Sequence, residues 1–100
     1  MQKVHYVIAG GAFSSLEEFA EYFSRTVLRA HVWRGNLNAF NDILRGGFGT
    51  PEEGFVLVWR DHETSKERLG SDLFDTLIEI IRDHGPGGAE AEDGVDLVLA

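Results

Sequence analysis

The sequence predicts an α/β fold, a small three-stranded parallel sheet flanked by helices, in a single domain covering residues 1–100. Two observations carry this reading. Short apolar runs at Val4 to Ala9, Phe55 to Trp59 and Val95 to Leu99 suit strands, and between them the apolar spacing changes to that of helices. Strands separated by helices form βαβ units with right-handed crossovers. At 100 residues the chain can bury roughly two-thirds of the surface it would expose unfolded, enough for one core.

Val4 to Ala9 is almost continuously apolar and ends at Gly10-Gly11, so a central strand covered on both faces is expected. Ser15 with Glu18 makes a capping box, after which Leu16, Phe19, Ala20, Phe23 and Val27 mark one helical face as far as Leu28. A connection from Arg29 to Gly35 carries Trp33. Asn36 can cap a helix to Leu44 on which Leu37, Phe40, Ile43 and Leu44 form an apolar stripe, while Asn38, Asn41, Asp42 and Arg45 recur on the opposite face. Such a helix anchors by one side and shows amides and a carboxylate on the other, a surface suited to recognition.

Gly46, Gly47 and Gly49 around Phe48 make a permissive loop that Thr50-Pro51 closes. Phe55 to Trp59, apolar on both sides, is a second strand expected to be covered on both faces. Thr64 and Glu67 are placed to cap a short helix that Gly70 interrupts. Ser71 starts another, with Leu73, Leu77, Ile80 and Ile81 facing inward before Gly85-Pro86. Gly85 to Gly94 is small, acidic and aperiodic, which reads as a flexible surface loop before the last strand.

Seventeen acids against nine Lys and Arg give a net charge of −8. A general nucleic-acid binder needs a basic stripe, so this balance argues against one and fits a basic partner or a well-solvated surface. Without cysteine, disulfides and thiolate chemistry are excluded. The N-terminal apolar run is too short for a signal h-region, so a soluble cytoplasmic protein with no membrane contact is expected.

Catalytic and cofactor signals are weak. The glycines at 10 and 11 fit neither phosphate-loop nor dinucleotide spacing, and a tight turn into a capped helix accounts for them. The four histidines stand far apart, so no metal or cofactor is expected. Asp61-His62-Glu63, at the carboxyl end of a strand, is the nearest approach to a catalytic cluster, and a small hydrolase using Asp61 and His62 is the enzymatic alternative. It has no obvious nucleophile. Two readings are open for Trp33: an interface anchor beside the polar helix face, or local packing over the first helix.

The stretch Trp33, Arg34, Gly35, Asn36, Leu37, Asn38, Ala39, Phe40, Asn41, Asp42, Ile43, Leu44 resembles a pattern of the barstar-like ribonuclease inhibitors: aromatic, Gly, Glu, Asn, Leu, Asp, Ala, Leu, Trp, Asp, then two apolar residues. That family's strand ending in Trp-Arg, followed shortly by Ser-Lys, is similar to Phe55 to Arg60 with Ser65-Lys66, and Arg82-Asp83 matches its helix closing on Arg plus an acid. The resemblance covers Trp33 to Leu99 and is weaker before that.

It implies a barstar-like fold and a non-enzymatic role: a monomer that binds a small, basic, secreted microbial ribonuclease of the guanyl-specific type in a 1:1 complex. The carboxylate matching Asp42 occupies the enzyme's phosphate site, and the contact surface comprises Trp33, Gly35, Asn38, Asn41, Asp42, Gly46 and Asp83. Three departures bear on the partner: Asn38 for an aspartate, Asn41 for a tryptophan and Asp83 for a glutamate. A binding module of the same fold for another basic protein, such as a nuclease or toxin, is the alternative within this class.

Overall fold

The computed structural model describes residues 3–28, 31–46, 49–51 and 53–100. Gly47 and Phe48 of the glycine loop, and Arg29 and Ala30 of the connection before Trp33, lie outside the described residues. The elements run β1 (Val4–Ala9), α1 (Leu16–Phe23), a π-helical segment (Ser24–Leu28), α2 (Leu37–Leu44), β2 (Phe55–Arg60), α3 (His62–Leu69), α4 (Ser71–Asp83), a 3-10 turn (Ala91–Asp93) and β3 (Val95–Leu99).

The sheet is parallel with order β1-β2-β3, in register from Val4 opposite Phe55 to Ile8 opposite Trp59, and from Phe55 opposite Val95 to Trp59 opposite Leu99. The middle strand is therefore β2, and β1 lies at an edge, contrary to the expectation of a central first strand. Coverage of both faces is also corrected. Phe19 of α1 and Phe74 of α4 both pack on the Trp59 ring, each with centroids 5.4 Å away, so both crossovers descend on one face. Alternate residues Phe55, Leu57 and Trp59 are fully buried there, whereas Val7 and Val98, on the other face, remain 48% and 45% exposed.

Ser15 caps α1 as its spacing predicts, its hydroxyl accepting from the Glu18 N–H at 3.1 Å, and Glu18 Oε1 accepts from the Ser14 N–H at 2.7 Å. The helix then widens into the π segment at Ser24. There the Ser24 hydroxyl donates to the Ala20 carbonyl at 2.7 Å and accepts from the Trp33 N–H at 2.8 Å, which ties the returning chain to α1. Helix α3 begins two residues earlier than Thr64, with Asp61 in the left-handed region at φ 53° and no side-chain cap. An Asp tolerates that conformation, and it turns the chain out of β2 without a glycine.

Behind the carboxyl ends of β1 and β2, the Trp59 indole N–H donates to Ser65 Oγ at 2.8 Å, and that hydroxyl donates to the Gly10 carbonyl at 2.7 Å. A side chain at Gly10 would collide with the Asp61 and Arg60 carbonyls and with Ser65 Oγ. The glycine is thus required by close packing of β1 against α3 and not by a phosphate. We expect Ser65→Ala to cost about 1–3 kcal/mol, because it strands a buried indole N–H and a buried carbonyl together. Urea denaturation measures it; a loss no larger than that of the exposed control Ser14→Ala would show that the pair finds other partners.

A candidate inhibitory face on α2

Helix α2 is fixed from below and at its start. The Asn36 side chain accepts from the Asn38 and Ala39 N–H groups at 2.9 and 3.2 Å, and the Trp33 indole N–H donates to the Asn36 carbonyl at 2.8 Å. The Trp33 ring lies flat on Phe40, with centroids 4.5 Å apart and planes 10° apart, and meets Phe19 and Phe23 edge-on. At 4% exposure Trp33 is core. Of its two readings the structure shows the packing one: it supports the face from behind. Gly35 and Gly46 bracket the helix at φ 100° and 101°, values that a side chain would strain.

Phe40, Ile43 and Leu44 point into the core, and Asn38 and Asp42, one turn apart, are exposed. Asp42 Oδ1 accepts from Arg45 Nη1 at 2.6 Å. The remaining edge of that guanidinium is held bidentately by Glu90, with Nε to Oε1 at 2.7 Å and Nη2 to Oε2 at 3.0 Å. Asn41 is half-buried and turns inward, its Oδ1 3.0 Å from Nε2 of the fully buried His84, whose Nδ1 lies 2.7 Å from Asp93 Oδ2. Asp83 sits exposed at the end of α4, beside His84, and its carbonyl accepts from the Glu90 N–H at 2.8 Å.

The structure therefore joins Asn41, Asp42 and the end of α4 through residues that sequence reasoning left out of the site: Arg45, His84, Glu90 and Asp93. Arg45 was visible on the same helical face as Asp42, three residues on, but its acidic partner is 45 positions away in sequence. The segment from Gly85 to Gly94 is consequently a fastened turn and not the flexible loop its composition suggests. His84, Glu90 and Asp93 bring candidate metal-ligand atoms within 4.8 Å of one another. Both ring nitrogens and the Glu90 carboxylate are already spent on protein partners, so the trio is a hydrogen-bonded clasp.

Asp61 and His62 do not converge. The His62 Nδ1 lies 3.1 Å from the Ala100 carbonyl and its ring stacks on Phe74, while Asp61 is exposed. The neighbouring hydroxyl, Ser65, is fully buried and engaged with Trp59 and Gly10.

A protein-family model described as Barstar (barnase inhibitor) matches residues 4–100. The chain belongs to the barstar family. A comparison with curated proteins gives no match. The match extends the resemblance back through the first thirty residues, and the barstar family is one of inhibitors and not of enzymes. Among the described residues, no helix is long and apolar enough to cross a membrane.

Hydrogen bonds from Arg45 hold the Glu90 carboxyl below its ordinary value, against the opposing effect of desolvation, and the same bonds raise the Arg45 guanidinium. A depressed folded value means stability that is present above the unfolded carboxyl's titration near pH 4.5 and lost as pH falls through the folded one. Glu90→Gln should remove that part of the acid sensitivity. Urea midpoints followed toward low pH should fall more steeply for the parent chain than for the variant; parallel curves would mean that the exposed pair adds nothing measurable.

Proposed function

We propose that this chain is an intracellular inhibitor of a small, basic, secreted ribonuclease of the guanyl-specific type, which it blocks by seating the α2 face around Asp42 in the enzyme's phosphate-binding site. The observation that carries this reading is Asp42 itself. It is an exposed carboxylate, which the sequence resemblance matches to the family's inhibitory carboxylate, on a helix that is capped by Asn36 and pinned by a core tryptophan.

A carboxylate presents two acceptor oxygens to a guanidinium fork much as a phosphate does. Arg45 engages Asp42 Oδ1, leaving Oδ2 for a cation on the enzyme. Asp42, Arg45 and Glu90 together carry one negative charge, so the cation within the face is neutralised before any partner arrives. Asn38, Asn41, Gly35, Gly46 and Asp83 complete the surface, the glycines through their backbone. A cytoplasmic inhibitor of this kind would protect the cell that makes the enzyme, and a net charge of −8 suits a basic target.

Asp42→Ala should weaken a 1:1 complex by at least about 2 kcal/mol, a size borrowed from barstar with barnase, the family's own reference pair. Inhibition titrations against the ribonuclease give the answer, and an affinity unchanged within about 0.5 kcal/mol removes Asp42 from the site.

The amides at 38 and 41 favour a partner that differs from the family's usual enzyme. Asn38 is exposed where family members carry an aspartate, and it can accept a hydrogen bond but supplies no charge. Asn38→Asp should then tighten binding to barnase by about 1 kcal/mol while leaving the native partner unchanged or weaker. Titrating both enzymes with both variants separates the cases: equal tightening would mark Asn38 as a plain loss of affinity, with no change of target.

A further inference from the structure

The geometry points to His84 as a positioning residue that sets the hydrogen-bond polarity of Asn41. With a protonated ring, residue 41 offers amide donors to a partner; with a neutral ring, it offers an acceptor. This rests on the reading of the α2 face as the partner surface.

His84 is fully buried and meets acceptors at both nitrogens: Asp93 Oδ2 at 2.7 Å from Nδ1 and Asn41 Oδ1 at 3.0 Å from Nε2. Glu90 Oε2 lies 3.8 Å from Nε2, and Arg45 on α2 reaches the ring only through Glu90. On α4 itself the charged neighbours Arg82 and Asp83 are exposed, and β3 meets His84 through the Val95 N–H, which donates to the His84 carbonyl at 2.9 Å. The groups facing the ring are thus two carboxylates and one amide.

An imidazolium donates from both nitrogens, which suits the observed arrangement. A neutral ring keeps one proton, and Asp93 holds it at Nδ1 because a carboxylate can only accept. Nε2 then becomes an acceptor facing the Asn41 oxygen. Two lone pairs opposed at that distance in a buried site are unfavourable, and the amide relieves them by turning over to donate Nδ2–H.

The turn exchanges the atom that faces outward. Asn41 is half-buried, its Nδ2 makes no hydrogen bond to another described residue, and no buried side-chain polar atom among the described residues lacks a partner, so Nδ2 is the amide atom left accessible. The partner that fits the arrangement with Oδ1 turned to His84 carries an acceptor opposite residue 41, a backbone carbonyl or a carboxylate. Its binding is therefore linked to a proton on His84, and acid favours the complex.

Two measurements test this. In the free chain, nitrogen NMR followed through a pH titration should show the Asn41 side-chain amide shifting together with the His84 ring; an Asn41 amide that ignores protonation of His84 overturns the coupling. In the complex, calorimetry with a guanyl-specific ribonuclease should show the affinity ratio of parent to Asn41→Ala rising roughly fivefold from the alkaline to the acid end, the factor of a single net hydrogen bond. Titrating groups on the enzyme are common to both chains and cancel in the ratio. A flat ratio overturns the inference and leaves the inhibitor reading standing. Absence of binding at every pH removes that enzyme as the partner, and the NMR titration of the free chain still decides the coupling. His84→Gln, which cannot titrate, should abolish the slope, and Asn41→Ala keeps the test open if that variant does not fold.

Discussion

Two right-handed crossovers that step in the same direction along a sheet descend on the same face, and the order β1-β2-β3 makes this chain take both steps that way. One layer of side chains must then hold every helix. Trp59, in the middle strand, serves as its centre, with Phe19 from the first crossover and Phe74 from the second against the same indole. Phe19 also meets Trp33 and Phe40 edge-on, at 5.9 and 6.2 Å, so the aromatic contacts run without a break from the sheet to α2. The position of the candidate face is a consequence of strand order, transmitted through rings.

Polar groups finish what the rings begin. Apolar packing sets the distance of α2 from the sheet but does little to fix its surface side chains, because their exposed ends touch no core. The clasp at residues 84 to 93 does fix them. Asn41 is held by His84 and Asp42 by Arg45, and both supports lead to the turn that carries Glu90 and Asp93. Gly85 and Gly88 are packed so closely against neighbouring backbone that side chains there would collide with the Val95 and Arg82 carbonyls. A segment that looks compositionally disordered is thus ordered by two charged side chains and two glycines.

Local features were legible in the sequence: the Ser15 cap, the Asn36 cap, the limits of α2 and the three strands, each written in residues a few positions apart. Coverage of β1 was not. Its run of apolar residues is what a doubly covered strand shows, but whether a second layer exists depends on strand order, which no single strand encodes, and Val7 is left half exposed. The burial of Trp33 depends on Phe19, Phe23 and Phe40 arriving around it, and so could not be settled from its neighbours in the chain. Arg45 and Glu90 escaped for the same reason: each alone is an ordinary surface charge. The family pattern singled out Asp42 as a candidate, and it carried no information about Asn41 and His84, since residue 41 departs from that pattern.

An arginine beside the carboxylate proposed to meet a partner's cation looks like a competitor, and magnitudes show why it is not an obstacle. Arg45 and Asp42 are both largely exposed, with 46% and 61% of their side-chain surface open, and pairs of that kind are worth about 0.2–1 kcal/mol in water. Charge pairs desolvated in an interface couple more strongly, about 1.5–7 kcal/mol in barnase with barstar, the family's own reference complex. Exchange of Arg45 for a partner cation is therefore favourable whenever the interface closes over it. Glu90 makes the exchange cheaper still, because an Arg45 that leaves Asp42 keeps two charge-assisted hydrogen bonds and is not stranded. Until then Arg45 restrains the Asp42 rotamer, so some of the ordering that binding would require is already present in the free chain.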